Sequence, residues 1–403
     1  MLTISNADKI LRSVYLDAVA EEIKENTSPF ISRLEETSEY LAGKEIITPC
    51  RIGINGGVGC VSETGNLPTA GSPNYINLKA GLCNIYGNLE ISDKLLRLGQ
   101  GSPSSVVNVL NHEMENLLKS AKFNMRRMLF QNGSGILATI DSHTTSSGTV
   151  LSVDTTKNLV EGMIIDINGS AGALTTGHTV TYVDRSAGTV TISPATTSYS
   201  AGYTLSVQGS FNNEIYGLPY LFDSNITMFY GNARRNVSFA LPTGYTANAV
   251  SNDSIQEVLD NIEENYGTAP NLIITSYDMR RKYLEYLRTN CLNIDHKEIE
   301  AGFTSITYNG IPLYVEKFAP ENTAYFVNTD DFKLVQPSEW SWLENNEGNI
   351  LHQISGKAAY YATLVKYCNL LCVRPMAQAS MMYVAPVVVD DDDSDSESDD
   401  GND

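Results

Sequence analysis

The sequence predicts an α+β protein with a small all-β domain inserted into it. Residues 104–131 have the spacing of one long amphipathic helix. Residues 46–91, before this helix, have the β-branched and glycine-rich character of a long hairpin. Residues 142–209, after it, are rich in Thr, Ser, Gly and Ala and carry few charges. Helix and strand patterns that follow one another in separate blocks are typical of the α+β class.

The long helix is predicted over residues 102–132. Its apolar side chains recur at spacings of three and four, which places them on one face: Val107, Leu110, Met114, Leu117, Ala121, Met125 and Met128. Ser102 can cap its start, and Gly133 can take the left-handed conformation that ends it. At 1.5 Å per residue the 28 residues of the periodic stretch 104–131 alone span about 42 Å, which exceeds the width of a small domain.

The hairpin has two predicted arms of about fifteen residues, each of which would reach roughly 50 Å. A two-stranded ribbon of this length is marginally stable alone in water. We therefore expect it to lie on another surface.

The inserted segment, residues 142–210, contains about five short β-branched runs separated by Gly or Ser-Ala-Gly. This spacing predicts a small all-β module. The alternative, a flexible linker, explains the regular runs less well.

The remaining chain predicts an arm, a mixed α/β region and a tail. Residues 1–40 form the arm, with a helix from near Asn6 to Glu25. Asn252 or Asp253 can cap a later helix, residues 272–274 predict a buried strand, and a further helix is predicted over 277–288. Asn309-Gly310 is a hairpin signal. Residues 357–375 predict a strand or a buried helix.

Charge and length exclude several classes of protein. The formal charge is −20, but residues 390–403 hold nine acidic and no basic side chains, which leaves −11 for residues 1–389. No long basic run predicts a nucleic-acid groove, and we expect residues 390–403 to be a disordered tail. No stretch has the length of a membrane span, and no signal peptide is evident, so we expect a cytosolic protein without membrane contact.

No catalytic, cofactor or metal site is predicted. The five histidines are scattered and the six cysteines form no CxxC pair. The best acid/base candidate is Asp295 with His296 and Glu298, but these residues lie in a polar connection, where solvated surface is the default. A hydrolase is therefore a minor alternative, and we expect a protein that is not an enzyme.

The order of the elements resembles the major capsid proteins of tailed bacteriophages with the Hong Kong 97 fold. The resemblance covers nearly the whole chain. It rests on the hairpin return LEISDKLLR, the helix end RRMLFQNGSG, the exit NEIYGL from the insertion and the closing YYATLVKYCNLLCVRPMAQ, at residues 89–97, 126–135, 213–218 and 360–378. In that family an arm, an extended loop, a spine helix, a peripheral domain and an axial domain follow one another.

The resemblance implies a division of the chain and a function. The implied parts are an N-terminal arm at 1–40, an extended loop at 41–92, a peripheral domain at 93–141 with the spine helix 102–132, the insertion at 142–210, a return to the peripheral domain at 211–220, an axial domain at 221–306, closing strands at 307–389 and the tail at 390–403. The implied function is self-assembly into pentamers and hexamers of an icosahedral head around double-stranded DNA. The subunit would assemble in the bacterial host cytoplasm and end in the virion.

The implied partners are other copies of the chain, a portal and a decoration protein, with weak nonspecific contact to the packaged DNA. The family's cleaved scaffolding region is not evident in this N-terminus, so a separate scaffolding protein is expected. Two alternatives remain open: an encapsulin-like compartment shell and, from another class, a carbohydrate-binding adhesin built on the insertion.

Intersubunit contacts are expected in two places. The hairpin tip offers Glu63, Asn66, Leu67 and Pro68. The second half of the long helix offers four cations that also complement the helix dipole: Lys119, Lys122, Arg126 and Arg127.

Overall fold

The computed structural model describes residues 28–52, 55–94, 103–141, 148–169, 172–196, 199–290, 296–299, 303–345 and 348–385. The predicted helix near Asn6 to Glu25 and the acidic tail lie outside these residues. The helices are α1 (Pro29–Ser32), α2 (Pro103–Leu129), α3 (Leu218–Phe222), α4 (Asn252–Tyr266) and α5 (Tyr277–Thr289). The strands are β1 (Glu35–Thr37), β2 (Leu41–Ala42), β3 (Glu45–Ile52), β4 (Asn74–Gly81), β5 (Cys83–Ser92), β6 (Ile136–Thr139), β7 (Gly148–Ser152), β8 (Ile164–Gly169), β9 (Gly172–Asp184), β10 (Thr189–Thr196), β11 (Thr204–Val207), β12 (Met228–Phe229), β13 (Asn232–Ala233), β14 (Thr243–Ala247), β15 (Leu272–Thr275), β16 (His296–Ile299), β17 (Phe303–Tyr308), β18 (Ile311–Val315), β19 (Thr323–Val327), β20 (Phe332–Val335), β21 (Ser341–Trp342), β22 (His352–Gln353), β23 (Ala359–Cys372) and β24 (Ala379–Tyr383).

The first large sheet, called the peripheral sheet after the expected division of the chain, has six strands and is built around β23. The open interpretation of residues 357–375 is thereby settled in favour of a strand. One edge of β23 pairs antiparallel with the whole of β5, and the other edge pairs with β20, β21 and β22. β1 joins β20 in parallel. The long helix α2 lies against β5, and Leu118 of α2 belongs to a core that includes Trp340 and Leu364.

The second large sheet, called the axial sheet after the same expected division, has seven strands in the order β14-β24-β19-β15-β18-β17-β16. The apolar faces of α4 and α5 complete its core, in which Leu259, Tyr283 and Phe326 are buried. Asn309 and Gly310 have φ values of 50° and 79° between β17 and β18, which confirms the predicted hairpin turn.

The cap of α4 is one residue earlier than predicted. Ser251, rather than Asn252 or Asp253, is the N-cap residue. Its hydroxyl accepts from the Ser254 backbone N–H at 3.1 Å, and the Ser254 hydroxyl accepts from the Ser251 N–H at 3.0 Å. This reciprocal pair satisfies two backbone donors at the helix start.

The extended hairpin is shorter than the predicted arms of about fifteen residues. β3 and β4 pair from Glu45–Gly81 to Ile52–Asn74, and each strand has eight residues. The segment that follows, β5, belongs instead to the peripheral sheet. The alternating pattern over 74–92 gives no sign of this change of partner, because both segments have the same period.

The insertion is a closed barrel. Its strands run in the order β6-β11-β8-β9-β10-β7, and the Ile140–Val153 bridge joins the two ends. The Asp141 N–H donates to the Ser152 carbonyl and the Asp154 N–H to the Thr139 carbonyl, both at 3.0 Å. The sheet therefore begins at Ile136, before the expected start at 142, and it encloses its own apolar core.

Two of the connections between the peripheral and axial sheets run directly from strand to strand, from β19 to β20 and from β23 to β24. The Arg374 guanidinium donates to both carboxylate oxygens of Asp331, at 2.7 and 3.1 Å. Gln378 donates to Asp331 at 3.0 Å and accepts from the Asn328 N–H at 2.8 Å. These contacts tie the two connections together.

Candidate assembly surfaces

The tip of the extended hairpin, residues 58–70, projects beyond a neck formed by Gly56, Gly57 and Gly71. At this neck the backbones of the two arms are in direct contact. A Cβ on Gly57 would come within 2.9 Å of the Gly71 nitrogen, and one on Gly71 within 2.9 Å of the Gly56 nitrogen. The Asn55 side chain also accepts from the Gly57 N–H at 2.9 Å. Only glycine allows this approach, so these residues shape the neck rather than merely weakening a strand.

The loop tip carries the four residues predicted to meet a neighbour. Glu63, Asn66 and Leu67 are exposed, and Pro68 is half-buried. The side chains of Leu67 and Val58 are 85% and 87% exposed. Large apolar side chains on a projecting tip remain in water unless another surface covers them.

The predicted cations of α2 divide into three environments. Lys119 is exposed and Lys122 is half-buried. Arg126 lies against the axial sheet, where its Nε donates to Glu316 at 2.8 Å and its Nη2 to the Tyr314 hydroxyl at 3.2 Å. Arg126 thus joins the long helix to the end of β18 within one subunit.

The expectation for Arg127 needs correction, because its side chain has no exposed surface. The guanidinium donates to both carboxylate oxygens of Glu214, at 2.5 and 2.9 Å, and to Gln131 at 2.6 Å. Glu214 is itself buried. Arg127 therefore fastens the helix end to the segment that leaves the barrel.

The sequence contains no signal for this pair. Glu214 is 87 positions from Arg127 and belongs to no charge motif. Helical periodicity places Arg127 outside the apolar stripe, on a part of the helix surface that normally faces solvent. The segment at 213–218 covers that face, and Gly217 allows it to approach: a Cβ there would lie 2.3 Å from the Gln131 carbonyl oxygen and 2.5 Å from that of Met128.

The root of the N-terminal arm, residues 28–34, is fixed in the core. Phe30 is fully buried, with ring centroids 5.8 Å from Phe130 and 5.5 Å from Phe332. The Ser28 side chain is hydrogen-bonded to Glu316. Burial raises the pKa of the Glu316 carboxyl, and the adjacent Arg126 opposes this shift.

The described residues hold no cluster of three or more His, Cys, Asp or Glu side chains that could bind a metal. Burial raises the pKa of Cys83 to about 11 and of Cys368 to about 12, so both thiols are protonated at neutral pH and are poor nucleophiles. His296 and Glu298 lie on β16, and Asp295 lies outside the described residues. Within the part of the chain that the structure describes, no helix is both long and apolar enough to cross a membrane.

Comparison with known proteins gives matches at the level of structure. No protein-family model matches the sequence, and no curated protein matches it. The structure described as the capsid asymmetric unit of cyanophage A-1(L) aligns over 92% of this chain and 94% of that chain, with a TM-score of 0.53 and 11% identity.

Two further matches have lower scores. A structure from Gordonia phage Cozz aligns over 89% of this chain and 87% of that chain at a TM-score of 0.45 and 11% identity. An encapsulin complex from Synechococcus elongatus aligns over 88% and 86% at 0.44 and 11%.

The cyanophage match concerns the fold, since the identity is 11%. It covers 92% of this chain, which contains the arm root, the hairpin, the long helix and two large sheets. Together with the order of these elements, it shows that the chain has the Hong Kong 97-type fold of tailed-phage major capsid proteins.

Proposed function

We propose that this chain is the major capsid protein of a tailed double-stranded DNA bacteriophage. In this role it assembles in the host cytoplasm into pentamers and hexamers of an icosahedral head, and it does so by surface burial rather than by catalysis. The observation that carries the proposal is the loop tip, which projects from a capsid-type fold with Leu67 and Val58 almost fully exposed. A neighbouring subunit would remove these side chains from water.

The proposed contacts follow from this role. Glu63, Asn66, Leu67 and Pro68 would lie on an adjacent subunit, and Lys119 and Lys122 would meet acidic groups of a neighbour. Arg126 and Arg127 have no part in the proposed interface, since Glu316 and Glu214 of the same subunit bind them. Separate scaffolding, portal and decoration proteins remain proposed partners, and packaged DNA would touch the moderately acidic body only weakly.

Deletion of residues 65–71 tests the proposal. We expect the shortened subunit to remain folded, because the tip contributes nothing to the described cores, and to form no shells. Circular dichroism and size-exclusion chromatography would measure folding and assembly. Normal shells from this deletion would contradict the proposal.

A point substitution tests whether assembly requires burial of an apolar side chain at the tip or only the presence of the tip. Leu67→Asp places a charge where the proposed contact excludes water. The association constant of each contact should therefore fall by at least tenfold, which corresponds to about 1.4 kcal/mol, and shells should be lost at equal protein concentration. Thr64→Asp is the matched control, since it adds the same charge to the same exposed tip without removing an apolar side chain. Equal losses in both variants would count against burial of Leu67.

A further inference from the structure

Two free thiols face each other across the peripheral sheet. In the ladder between β5 and β23, Cys83 lies directly opposite Cys368. The register runs from the Ser92–Ala359 pair to this pair without a shift. Because directly opposed residues place their side chains on the same face of a sheet, both sulfurs lie on one side of it. The two thiols are therefore neighbours although they are far apart in the sequence.

The spacing of the two backbones suits a disulfide. At the end of the same ladder the Asp93 N–H donates to the carbonyl of Ala358, directly opposite, at 2.9 Å. Hydrogen-bonded pairs recur at every second position, and an even number of positions leads from this pair to Cys83 and Cys368. The Cα atoms of such a pair are about 5.5 Å apart, within the range of about 4.4 to 6.8 Å that disulfides require.

A bond at this place would be strained and easily reduced. Opposed Cβ atoms lie about 4.5 to 5.5 Å apart in a sheet, and those of a disulfide lie about 3.8 Å apart, so the two side chains must approach by roughly 1 Å. Strained disulfides have higher reduction potentials than relaxed ones. The pair is thus suited to reversible oxidation rather than to a permanent crosslink.

A cavity gives access to one of the two sulfurs. Cys83 lines a cavity of about 680 Å³ between β5, α2 and the segment that leaves the barrel, together with Leu117, Asn124 and Glu214. The Cys83 S–H donates to the Glu214 carbonyl at 3.2 Å. Cys368 is fully buried in the adjoining core. A small reagent can therefore reach Cys83 first, and Cys368 lies where it can attack the product.

We propose that Cys83 and Cys368 form a reversible disulfide that joins β5 to β23 under oxidising conditions. The Cys83 thiol attacks a small-molecule disulfide, which gives a mixed disulfide and releases one small thiol. The Cys368 thiol then attacks the Cys83 sulfur, so the Cys83–Cys368 bond forms and the second small thiol leaves. Both protein sulfurs are oxidised, the reagent is reduced to two thiols, and each of these takes up one of the two protons.

The fold keeps the pair reduced until such a reagent is present. Burial raises the pKa of both thiols, so the thiolate, which is the attacking form, is scarce at neutral pH. A subunit that folds in a reducing compartment would close the bridge only after it meets an oxidising one. The bridge would enclose α2, the barrel and most of the axial sheet in one covalent loop. This inference does not depend on the proposed role in a shell.

Oxidation of the full-length subunit with cystamine tests the proposal. Cys60→Ser and Cys291→Ser remove the exposed thiol and the one outside the described residues. Incubation at about pH 9 raises the thiolate fraction about a hundredfold over that at pH 7. After the remaining thiols are blocked with N-ethylmaleimide, trypsin should give peptide 80–94 joined to peptide 367–403 as the main product. Mass spectrometry should place the bond between Cys83 and Cys368, and dithiothreitol should break it.

Cys368→Ser in the same background is the matched control. It should leave a cysteamine adduct on Cys83 and yield no joined peptide. In the protein that retains Cys368, a lasting adduct on Cys83 beside a free Cys368 would overturn the proposal. A bond from Cys83 to Cys50 or Cys372 would also overturn it, and so would an unreacted Cys83 in protein that circular dichroism shows to be folded.

Thermal unfolding of the bonded subunit provides a second measurement. The bridge restricts a long loop of the unfolded chain, so the midpoint should lie several degrees above that of the same sample after reduction. The Cys368→Ser variant with its adduct should show no such rise. An equal or lower midpoint in the bonded protein would show that strain cancels the gain, and would contradict a bridge that fastens β5 to β23.

Discussion

The buried pair of Arg127 and Glu214 is the residue-level contact that holds the barrel exit against the end of the long helix. Both side chains are almost without exposed surface, so neither charge can be compensated by water if its partner is lost. A buried pair of this kind is weak support for stability by itself, but removal of one partner is costly. The pair therefore specifies how the two segments meet.

Replacement of one partner should show this asymmetry. Glu214→Ala should lower the free energy of unfolding by about 3 to 5 kcal/mol, because it leaves an unpaired buried guanidinium. The double replacement Arg127→Met with Glu214→Leu should cost less than Glu214→Ala alone. Urea denaturation of the subunit measures both, with the exposed Lys119→Ala as a control expected to stay within about 0.5 kcal/mol of the parent. A double variant that is less stable than Glu214→Ala would refute this interpretation.

Gly217 acts at the same junction through its lack of a side chain. Its φ of −75° is ordinary, so the requirement is steric: an added Cβ would overlap the last carbonyl oxygens of α2. Gly217→Ala should therefore cost about 1 to 3 kcal/mol, the usual penalty of overpacking. Gly81→Ala is the control, since a Cβ there meets nothing within 4 Å. The midpoint temperatures of thermal unfolding of the two variants are compared. Equal midpoints would show that the junction can rearrange to accept a Cβ and would contradict the steric account.

At the level of elements, the barrel is attached to the body as a separable module. Gly135 and Ser210 lie side by side where the chain enters and leaves it, and the Asn212 N–H donates to the Ser134 carbonyl at 2.8 Å. The barrel has its own core, distinct from the cores of the two large sheets. The exposed Lys157–Glu321 pair between barrel and axial turn adds little stability.

Removal of residues 136–209 should consequently leave the body folded. Because the ends already adjoin, a linker of two or three glycines should close the chain with a loop-closure cost well below that of a long loop. We expect soluble protein with one cooperative unfolding transition, measured by circular dichroism. A matched deletion of β23 residues should abolish folding, and insoluble protein from the 136–209 deletion would show that the barrel is part of the main core.

At the level of the whole molecule, the sequence predicts local features well and long-range partners poorly. The hairpin turn at Asn309-Gly310 and the ends of α5 follow from neighbouring residues, and the structure agrees with both within one residue. The limits of the extended hairpin do not follow from neighbouring residues. β5 pairs with β23, which is more than 260 positions away along the chain, with Leu89 opposite Ala362. Periodicity indicates a strand but not its partner.

The candidate surfaces show the same division. The place of the loop tip is predictable, since turn residues between two extended runs lie at the end of a hairpin. Leu67 is exposed there, and its contact with a neighbouring subunit stays a prediction. The burial of Arg127 is not predictable from neighbouring residues. It depends on the segment around Glu214, which is 87 positions away in the sequence and packs over the helix. The fold-level resemblance survives these errors because it rests on the order of elements rather than on any one contact.

The central claim is that copies of this chain close into a shell. Negative-stain electron microscopy of the expressed full-length protein, with and without its neighbouring genes, tests it most directly. The proposal predicts closed icosahedral particles of uniform diameter, and it predicts their loss in the Leu67→Asp variant. A folded protein that stays monomeric in both preparations would contradict it.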